Sequence, residues 1–156
     1  MAVKRSLLLW LSMIILTSGC ASEQRTVQLE NKDFADLLYV QKIEKSVASE
    51  QQTKIVTDLE EIENVLTELD GMETENIDRE ELMKKLEQED NYYVFGFFDD
   101  AEMGSTSKGN YAFQIFADGT VLFSYDEPNS PGQPLKAVEK HPDLIETYRA
   151  LLDMNF

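Results

Sequence analysis

The segment 110–127, NYAFQIFADGTVLFSYDE, constrains the fold most, because two alternating apolar runs flank an Asp-Gly turn. A two-residue turn would leave apolar side chains on both faces of the ribbon. A three-residue loop, with Gly119 left-handed as a bulge, shifts the pairing by one residue. It gathers the larger apolar side chains on one face, namely Tyr111, Phe113, Ile115, Val121, Phe123 and Tyr125. The pattern therefore predicts an antiparallel hairpin in this second register.

The opposite face of that hairpin is mostly small or polar, and Phe116 and Leu122 are its apolar exceptions. If helices cover only the other face of the sheet, these two side chains stay exposed. Exposed apolar patches usually mark a partner. We therefore expect Phe116 and Leu122 to form a partner-binding surface, while most of the neighbouring aromatic residues belong to the core.

Three further segments are predicted as strands. Residues 37–47 have apolar side chains at even spacing, and 53–56 form a short second run. The segment 91–100, NYYVFGFFDD, is rich in aromatic and β-branched residues on both faces, which is typical of a central strand covered on both sides. Gly96 in the middle of this strand indicates a bulge or close packing against a neighbour.

The segment 57–71 is predicted to be a helix. Thr57 and Glu60 form a capping box, and Gly71 lies where a C-cap glycine is expected. The predicted buried face consists of Leu59, Ile62, Val65, Leu66 and Leu69.

Two more helices have start signals. Asp78 and Glu81 form a second capping box, and Ile77 and Leu82 stand at the positions of a hydrophobic staple. Pro142 opens the last helix in its first turn. The apolar stripe of the last helix consists of Leu144, Ile145, Tyr148, Leu151 and Leu152.

The element order is strand, helix, helix, three antiparallel strands, helix. This order predicts an α+β fold, an antiparallel sheet of about four to five strands with about three helices packed on one face. The sequence contains neither an internal repeat nor a Pro/Gly/Ser-rich linker between these elements. We therefore expect a single domain at 37–156.

Acidic side chains outnumber basic ones by 30 to 14, for a formal charge of −16. This surplus argues against nucleic acid as a partner and against close binding to anionic lipid headgroups. The charge serves either as a solubilising surface or as a recognition surface for a basic or cationic partner.

The N-terminus has the three-part layout of a secretory signal peptide, with Lys4 and Arg5 before the apolar run 7–16. The run has about half of the ~20 residues that a membrane-spanning helix needs. The stretch LTSGC resembles the lipobox of bacterial lipoproteins, with Gly19 before the cleaved bond and Cys20, the only cysteine, after it. The alternative is an ordinary secretory signal and a freely secreted protein.

The resemblance to bacterial lipoproteins implies that Cys20 receives a diacylglyceryl group and becomes the first residue of the mature chain. We then expect a signal peptide at 1–19 and a lipidated cysteine with a tether at 20–36. Removal of Lys4 and Arg5 leaves 12 basic against 30 acidic side chains, a formal charge of −18. Two acyl chains anchor a protein stably, whereas one does not. The expected location is therefore the extracytoplasmic face of the cell membrane.

The residue inventory offers little for catalysis. His141 is the only histidine, and its place before Pro142 is typical of a helix boundary. Ser105 and Lys108 have the S-x-x-K spacing of penicillin-recognising enzymes, but the companion motifs are missing from the sequence. The element layout resembles small uncharacterised lipoproteins of Gram-positive bacteria, which implies no catalytic residues. We expect no enzyme and no cofactor.

Asp99, Asp100 and Glu102 flank a predicted loop and are the candidates for a metal site. Calcium takes six to eight oxygen ligands from loops of this kind, although the ligand order of an EF-hand is missing from the sequence. A solvated acidic surface is the competing interpretation. The sequence therefore favours a non-catalytic protein-interaction module of the cell envelope, with a partner there or outside the cell. The alternative is a binding protein for calcium or a small cationic ligand.

Overall fold

A computed structural model describes residues 24–29, 32–99, 109–124 and 132–156. In these ranges the chain forms one antiparallel sheet of eight strands and three helices. The strands are β1 (Gln24–Thr26), β2 (Leu37–Glu44), β3 (Val47–Val56), β4 (Glu73–Asn76), β5 (Asn91–Phe98), β6 (Tyr111–Phe116), β7 (Val121–Phe123) and β8 (Leu135–Ala137). The helices are α1 (Leu59–Thr67), α2 (Arg79–Gln88) and α3 (Leu144–Leu151).

The sheet has the order β1-β4-β8-β7-β6-β5-β2-β3, and every neighbouring pair is antiparallel. The predicted α+β class, the antiparallel sheet and the three helices are confirmed, but the expectation of four to five strands was too low. The unpredicted strands β1, β4 and β8 have only three or four residues, too few for a period-2 pattern to stand out.

The predicted hairpin register is confirmed for its described residues. Phe113 pairs with Phe123 and Ile115 pairs with Val121. Gly119 has φ +83°, and its N–H donates to the Phe116 carbonyl at 2.9 Å. The left-handed glycine thus closes the three-residue loop. Tyr125, the expected partner of Tyr111, lies outside the described residues.

The main core lies between α1, α3 and one face of the sheet, which we call the inner face. The rings of Phe95 and Phe113 stack with centroids 4.6 Å apart, and Tyr148 of α3 packs against both rings. The α1 residues in this core are Ile62, Val65, Leu66 and, just past the helix, Leu69. Leu59, which the sequence pattern also placed on the buried face, is 60% exposed because it lies in the first turn.

Helix α2 packs on the opposite face of the sheet, which we call the outer face. Leu82 and Leu86 of α2 contact a separate buried cluster of Ile77, Phe116 and Leu122. The expectation that all three helices cover one face was therefore wrong, since α2 covers part of the outer face while α1 and α3 cover the inner one.

The helix caps agree with the sequence in part. Asp78 caps α2 by accepting from the Glu81 N–H at 2.8 Å, as predicted. Helix α1 is capped by Asp58 rather than by Thr57, because the Asp58 carboxylate accepts from the N–H groups of Glu60 and Glu61.

The segment assigned to the tether is largely part of the fold. Strand β1 pairs with β4 at the edge of the sheet. Val27, Leu29 and Ala35 are buried in the main core. The boundary between tether and domain therefore lies at or before Gln24, not at Asp36. The sequence did not predict these three core residues, because the segment is mostly polar and their spacing is too irregular to form a pattern.

Candidate interaction surface

Strands β2, β3, β5 and β6 form a stretch of the outer face without charged side chains. This holds for every outer-face residue of these strands that is paired with a neighbouring strand. The register places Tyr39 beside both Gly96 and Ile55, and Gly96 beside Ala112. Alternation and pairing then assign the other residues, which are Leu37, Gln41, Ile43, Ala48, Thr53, Tyr92, Val94, Phe98, Gln114 and Phe116. Charged residues make up 28% of the chain, so a charge-free face across four strands departs strongly from the average surface.

Helix α2 covers one end of this face. Phe116 is 1% exposed and Leu122 is 2% exposed, because both lie beneath Leu82 and Leu86. Tyr92 packs beside them, with its ring centroid 5.2 Å from that of Phe116. The prediction that Phe116 and Leu122 form an exposed partner-binding surface was therefore wrong. They are the floor of a small second core.

The remainder of the outer face, which we call the open face, lies beyond α2. It consists of Tyr39, Gln41, Ile43, Ala48, Thr53, Ile55, Val94, Phe98, Ala112 and Gln114. Ile55 is 50% exposed, Ala48 is also exposed, and the others are half-buried. The sequence contained a signal for this surface, since Lys42 and Glu44 of β2 fall on even positions and leave the odd positions neutral.

Two polar groups lie within the open face. The Gln41 side-chain amide donates to the Thr53 hydroxyl at 3.2 Å. The side-chain carbonyl oxygen of Gln114 is buried and has no hydrogen-bond partner among the described residues. Such an acceptor costs free energy until a donor reaches it.

Exposed carboxylates surround the open face. Asp36 and Asp99 lie beyond the terminal pair Leu37–Phe98, and the Asp36 N–H donates to the Phe98 carbonyl at 3.0 Å. Glu50 lies on the edge strand β3, and Asp90 precedes β5. Lys45, in the β2–β3 turn, is an exposed basic residue at the same rim. The surface is therefore apolar at its centre and mainly acidic at its rim.

Of the three predicted calcium ligands, the structure describes one. Asp99 is exposed at the end of β5, whereas Asp100 and Glu102 lie outside the described residues. Within the described part of the chain, no group of three or more His, Cys, Asp or Glu residues is arranged to hold a metal ion. The lipidation residue Cys20 and the adjoining Gly19 also lie outside the described residues.

A groove of about 440 Å³ separates α2 from strands β4 and β8, and its lining contains Lys84, Lys85, Lys136 and Lys140. We call it the lysine groove. Lys136 on β8 binds Glu75 of β4 at 3.0 Å and Glu81 of α2 at 3.1 Å. Burial alone would lower the pKa of Lys136, but its two carboxylate partners outweigh burial and raise the pKa.

The second ion-pair cluster of this groove centres on Asp118 in the β6–β7 turn. Its Oδ2 lies 3.1 Å from Lys85 Nζ of α2 and 2.7 Å from Lys140 Nζ. Burial alone would raise the pKa of Asp118, but hydrogen bonds from Lys140, Thr120 and Lys85 hold it well below its usual range. Since no residue of α2 is fully buried, these ion pairs contribute to holding α2 on the sheet.

His141 is a boundary residue in the structure, as its sequence context predicts. Its backbone N–H donates to the Gly119 carbonyl at 2.7 Å, and its carbonyl accepts from the Leu144 N–H as α3 begins. The contact therefore fastens the start of α3 to the β6–β7 turn.

Among the residues that the structure describes, no helix combines the length and hydropathy needed to span a bilayer. Comparisons of the chain with models of known protein families, with curated proteins and with solved structures gave no match.

Proposed function

We propose that this chain is a lipid-anchored, extracytoplasmic binding module that takes a polypeptide partner on its open face and catalyses no reaction. The charge-free open face carries the proposal for binding, and the lipobox-like stretch ending at Cys20 carries the proposal for the anchor. Interface centres are depleted of charged residues and enriched in aromatic ones, and Tyr39 and Phe98 supply aromatic rings here.

The rim of the open face favours a partner with basic side chains around an apolar centre. Asp36, Glu50, Asp90 and Asp99 are exposed around it, against Lys45. A second copy of the chain would bring two acidic rims together on bodies with a formal charge of −18 each, so self-association through this face is disfavoured.

The outer edge of β3, which pairs with no described strand, is less suited to binding than the open face. The pairing of β2 with β3 is interrupted, so that residues 49–52 stand opposite Lys42 alone. Inside this irregularity the Thr53 hydroxyl donates to the Ser49 carbonyl at 3.0 Å. Bulged edges of this kind protect sheets against strand addition. The partner is therefore expected to contact side chains of the face rather than extend the sheet.

The test starts in cells that express the full chain. Mass spectrometry of the purified native protein should show Cys20 as the first residue, carrying a diacylglyceryl group. A photo-crosslinking amino acid at position 55 should give a discrete product, whereas the same amino acid at position 83, an exposed site on α2, should not. An unmodified Cys20 would contradict the anchor, and equal crosslinking at both positions would contradict the surface.

The crosslinked partner is then purified and its affinity measured against two matched variants. Ile55→Glu adds a charge to the open face, whereas Leu59→Glu adds one to a comparably exposed aliphatic residue on α1. A charge placed at an interface centre without a partner is expected to cost more than about 1.4 kcal/mol, which corresponds to a tenfold change in Kd. We expect Ile55→Glu to weaken binding at least tenfold and Leu59→Glu to change it less than about twofold. Equal losses for the two variants would rule out the open face as the binding surface.

A further inference from the structure

The position of β1 sets how far the folded domain can lie from a lipid on Cys20. Strand β1 begins at Gln24, and only residues 21–23 separate it from Cys20. Four residue-to-residue steps lead from Cys20 to Gln24. At about 3.6 Å for each step of a fully extended chain, they span at most about 14 Å. If Cys20 is lipidated, as the proposed function holds, the β1 edge of the sheet is confined to the neighbourhood of the bilayer.

The strand order places the open face far from that edge. Strand β1 is one edge of the sheet and β3 is the other, with seven inter-strand steps between them. At about 4.8 Å a step, β3 lies roughly 34 Å from β1, and β6, where the open face begins, lies roughly 19 Å from it. The anchored edge and the open face are therefore at opposite ends of the same sheet.

The two halves of the outer face also differ in covering. The half near β1 is covered by α2, which packs over Phe116 and Leu122. On the far half, no helix of the described residues packs on the sheet. The surface left open to a partner therefore lies at the end of the sheet away from β1.

We propose that the anchored protein stands on its β1 edge, so that the open face begins about 20 Å from the headgroups. Its partner then approaches from the aqueous side, as a soluble protein or the ectodomain of another envelope protein. This proposal rests on the lipid anchor of the proposed function. The competing arrangement has the open face lying on the bilayer, with lipid as its occupant.

The single native cysteine makes the orientation measurable. Once Cys20 carries lipid, a thiol introduced elsewhere is the only one free for labelling. Three variants of the full lipidated chain each receive one fluorophore: Glu73→Cys on β4, next to the anchored edge, Glu50→Cys on β3, and Ile55→Cys on the open face. All three side chains are exposed. Each protein is reconstituted into phosphatidylethanolamine–phosphatidylglycerol vesicles that contain a headgroup-labelled acceptor lipid.

We expect strong energy transfer to the bilayer from position 73 and weak transfer from positions 50 and 55. Equal transfer from all three positions, or the strongest transfer from position 55, would overturn the orientation while leaving the anchor intact. Protein that stays in the supernatant when the vesicles are pelleted would instead overturn the anchor, and the orientation with it.

A lengthened tether is the matched control. Insertion of ten Gly/Ser residues after Ala21 should reduce the contrast between positions 73 and 50, because the β1 edge is then free to move away from the bilayer. An unchanged contrast would contradict the proposed role of the short tether.

Discussion

The ring of Phe98 lies over Gly96, so close that a Cβ on Gly96 would be 2.9 Å from the Phe98 Cε2 atom. The same ring approaches Gly109, where a Cβ would be 3.2 Å from the Phe98 Cε1 atom. Gly96 pairs with Tyr39 on one side and with Ala112 on the other. The absence of a side chain at Gly96 therefore lets Phe98 lie along the sheet and form part of the open face.

Gly96→Ala should destabilise the fold through that contact. The added methyl group displaces the Phe98 ring, and overpacking of this kind typically costs about 1–3 kcal/mol. We expect the free energy of unfolding, measured by denaturant titration, to fall by about that amount.

The double variant Gly96→Ala/Phe98→Ala is the control, because it removes the ring that the methyl group meets. In the Phe98→Ala background the cost of Gly96→Ala should fall below about 1 kcal/mol, which a double-mutant cycle can resolve. An equal cost in both backgrounds would mean that the Phe98 ring does not explain the glycine.

Gly119 and Gly71 form a natural pair for separating backbone strain from steric conflict. Their φ values are +83° and +82°, but a Cβ at Gly119 would lie 2.7 Å from the Pro142 nitrogen, whereas nothing lies within 4 Å of one at Gly71. Gly71→Ala should cost about 1–2 kcal/mol for the left-handed conformation alone.

Gly119→Ala should cost at least about 1–3 kcal/mol more than Gly71→Ala, since backbone atoms of the 141–142 segment must also move. Equilibrium unfolding of both variants provides the comparison. Equal losses would show that the β6–β7 turn and the start of α3 are not in close contact.

The sequence could predict those parts of the fold that are encoded within one short segment. The hairpin register was predictable because alternation and Gly119 act within one short segment. The cap of α2 was predictable for the same reason, and Asp78 caps it as expected, whereas the cap of α1 is Asp58, one residue after the predicted Thr57. Such local signals do not depend on where the rest of the chain lies.

The errors concern parts whose position depends on distant partners. Strand β4 has the sequence ETEN and pairs with two other short strands from remote parts of the chain, β1 and β8. Helix α2 has a weak apolar face, and Lys136 of β8 is among the residues that hold it on the outer face. Because no local pattern encodes that placement, Phe116 and Leu122 were expected to be exposed and the open face was not foreseen.

Tyr148→Phe should reveal how α3 supports α1. The Tyr148 hydroxyl is buried and donates to the Val65 carbonyl at 3.0 Å, near the C-terminus of α1. The Leu69 N–H donates to the Leu66 carbonyl instead of reaching Val65. Loss of the hydroxyl leaves a buried carbonyl without this donor, at a cost of about 1–3 kcal/mol in the free energy of unfolding.

Tyr39→Phe is the matched control, because Tyr39 is half-buried on the open face and its removed hydroxyl does not cap a helix. Its unfolding free energy should change by less than about 0.5 kcal/mol. Equal effects of the two substitutions would argue against the helix-capping role of Tyr148.

Asp118 should make stability depend on pH in the acid range. Its pKa is held below the unfolded value of about 3.9 by Lys140, Thr120 and Lys85, which outweigh burial. A depressed folded-state pKa contributes stability that is present above the unfolded pKa and is lost as pH falls through the folded pKa. Asp118→Asn keeps an oxygen for the Thr120 N–H but removes the charge. We expect it to lower the free energy of unfolding by about 1 kcal/mol at pH 7, since partly exposed ion pairs contribute no more than that.

The difference between wild type and Asp118→Asn should stay constant above about pH 5 and shrink below about pH 4, where the Asp118 carboxylate of the unfolded wild type takes up a proton while that of the folded protein keeps its charge. Denaturant unfolding at intervals from pH 3 to pH 7 measures it. In a Lys140→Met background the difference at pH 7 should be smaller, because the nearest ammonium group, at 2.7 Å, is gone. The charge of Asp118 would not help to fasten the β6–β7 turn if the difference in unfolding free energy persisted unchanged to pH 3. The same conclusion would follow if the difference at pH 7 were unchanged in the Lys140→Met background.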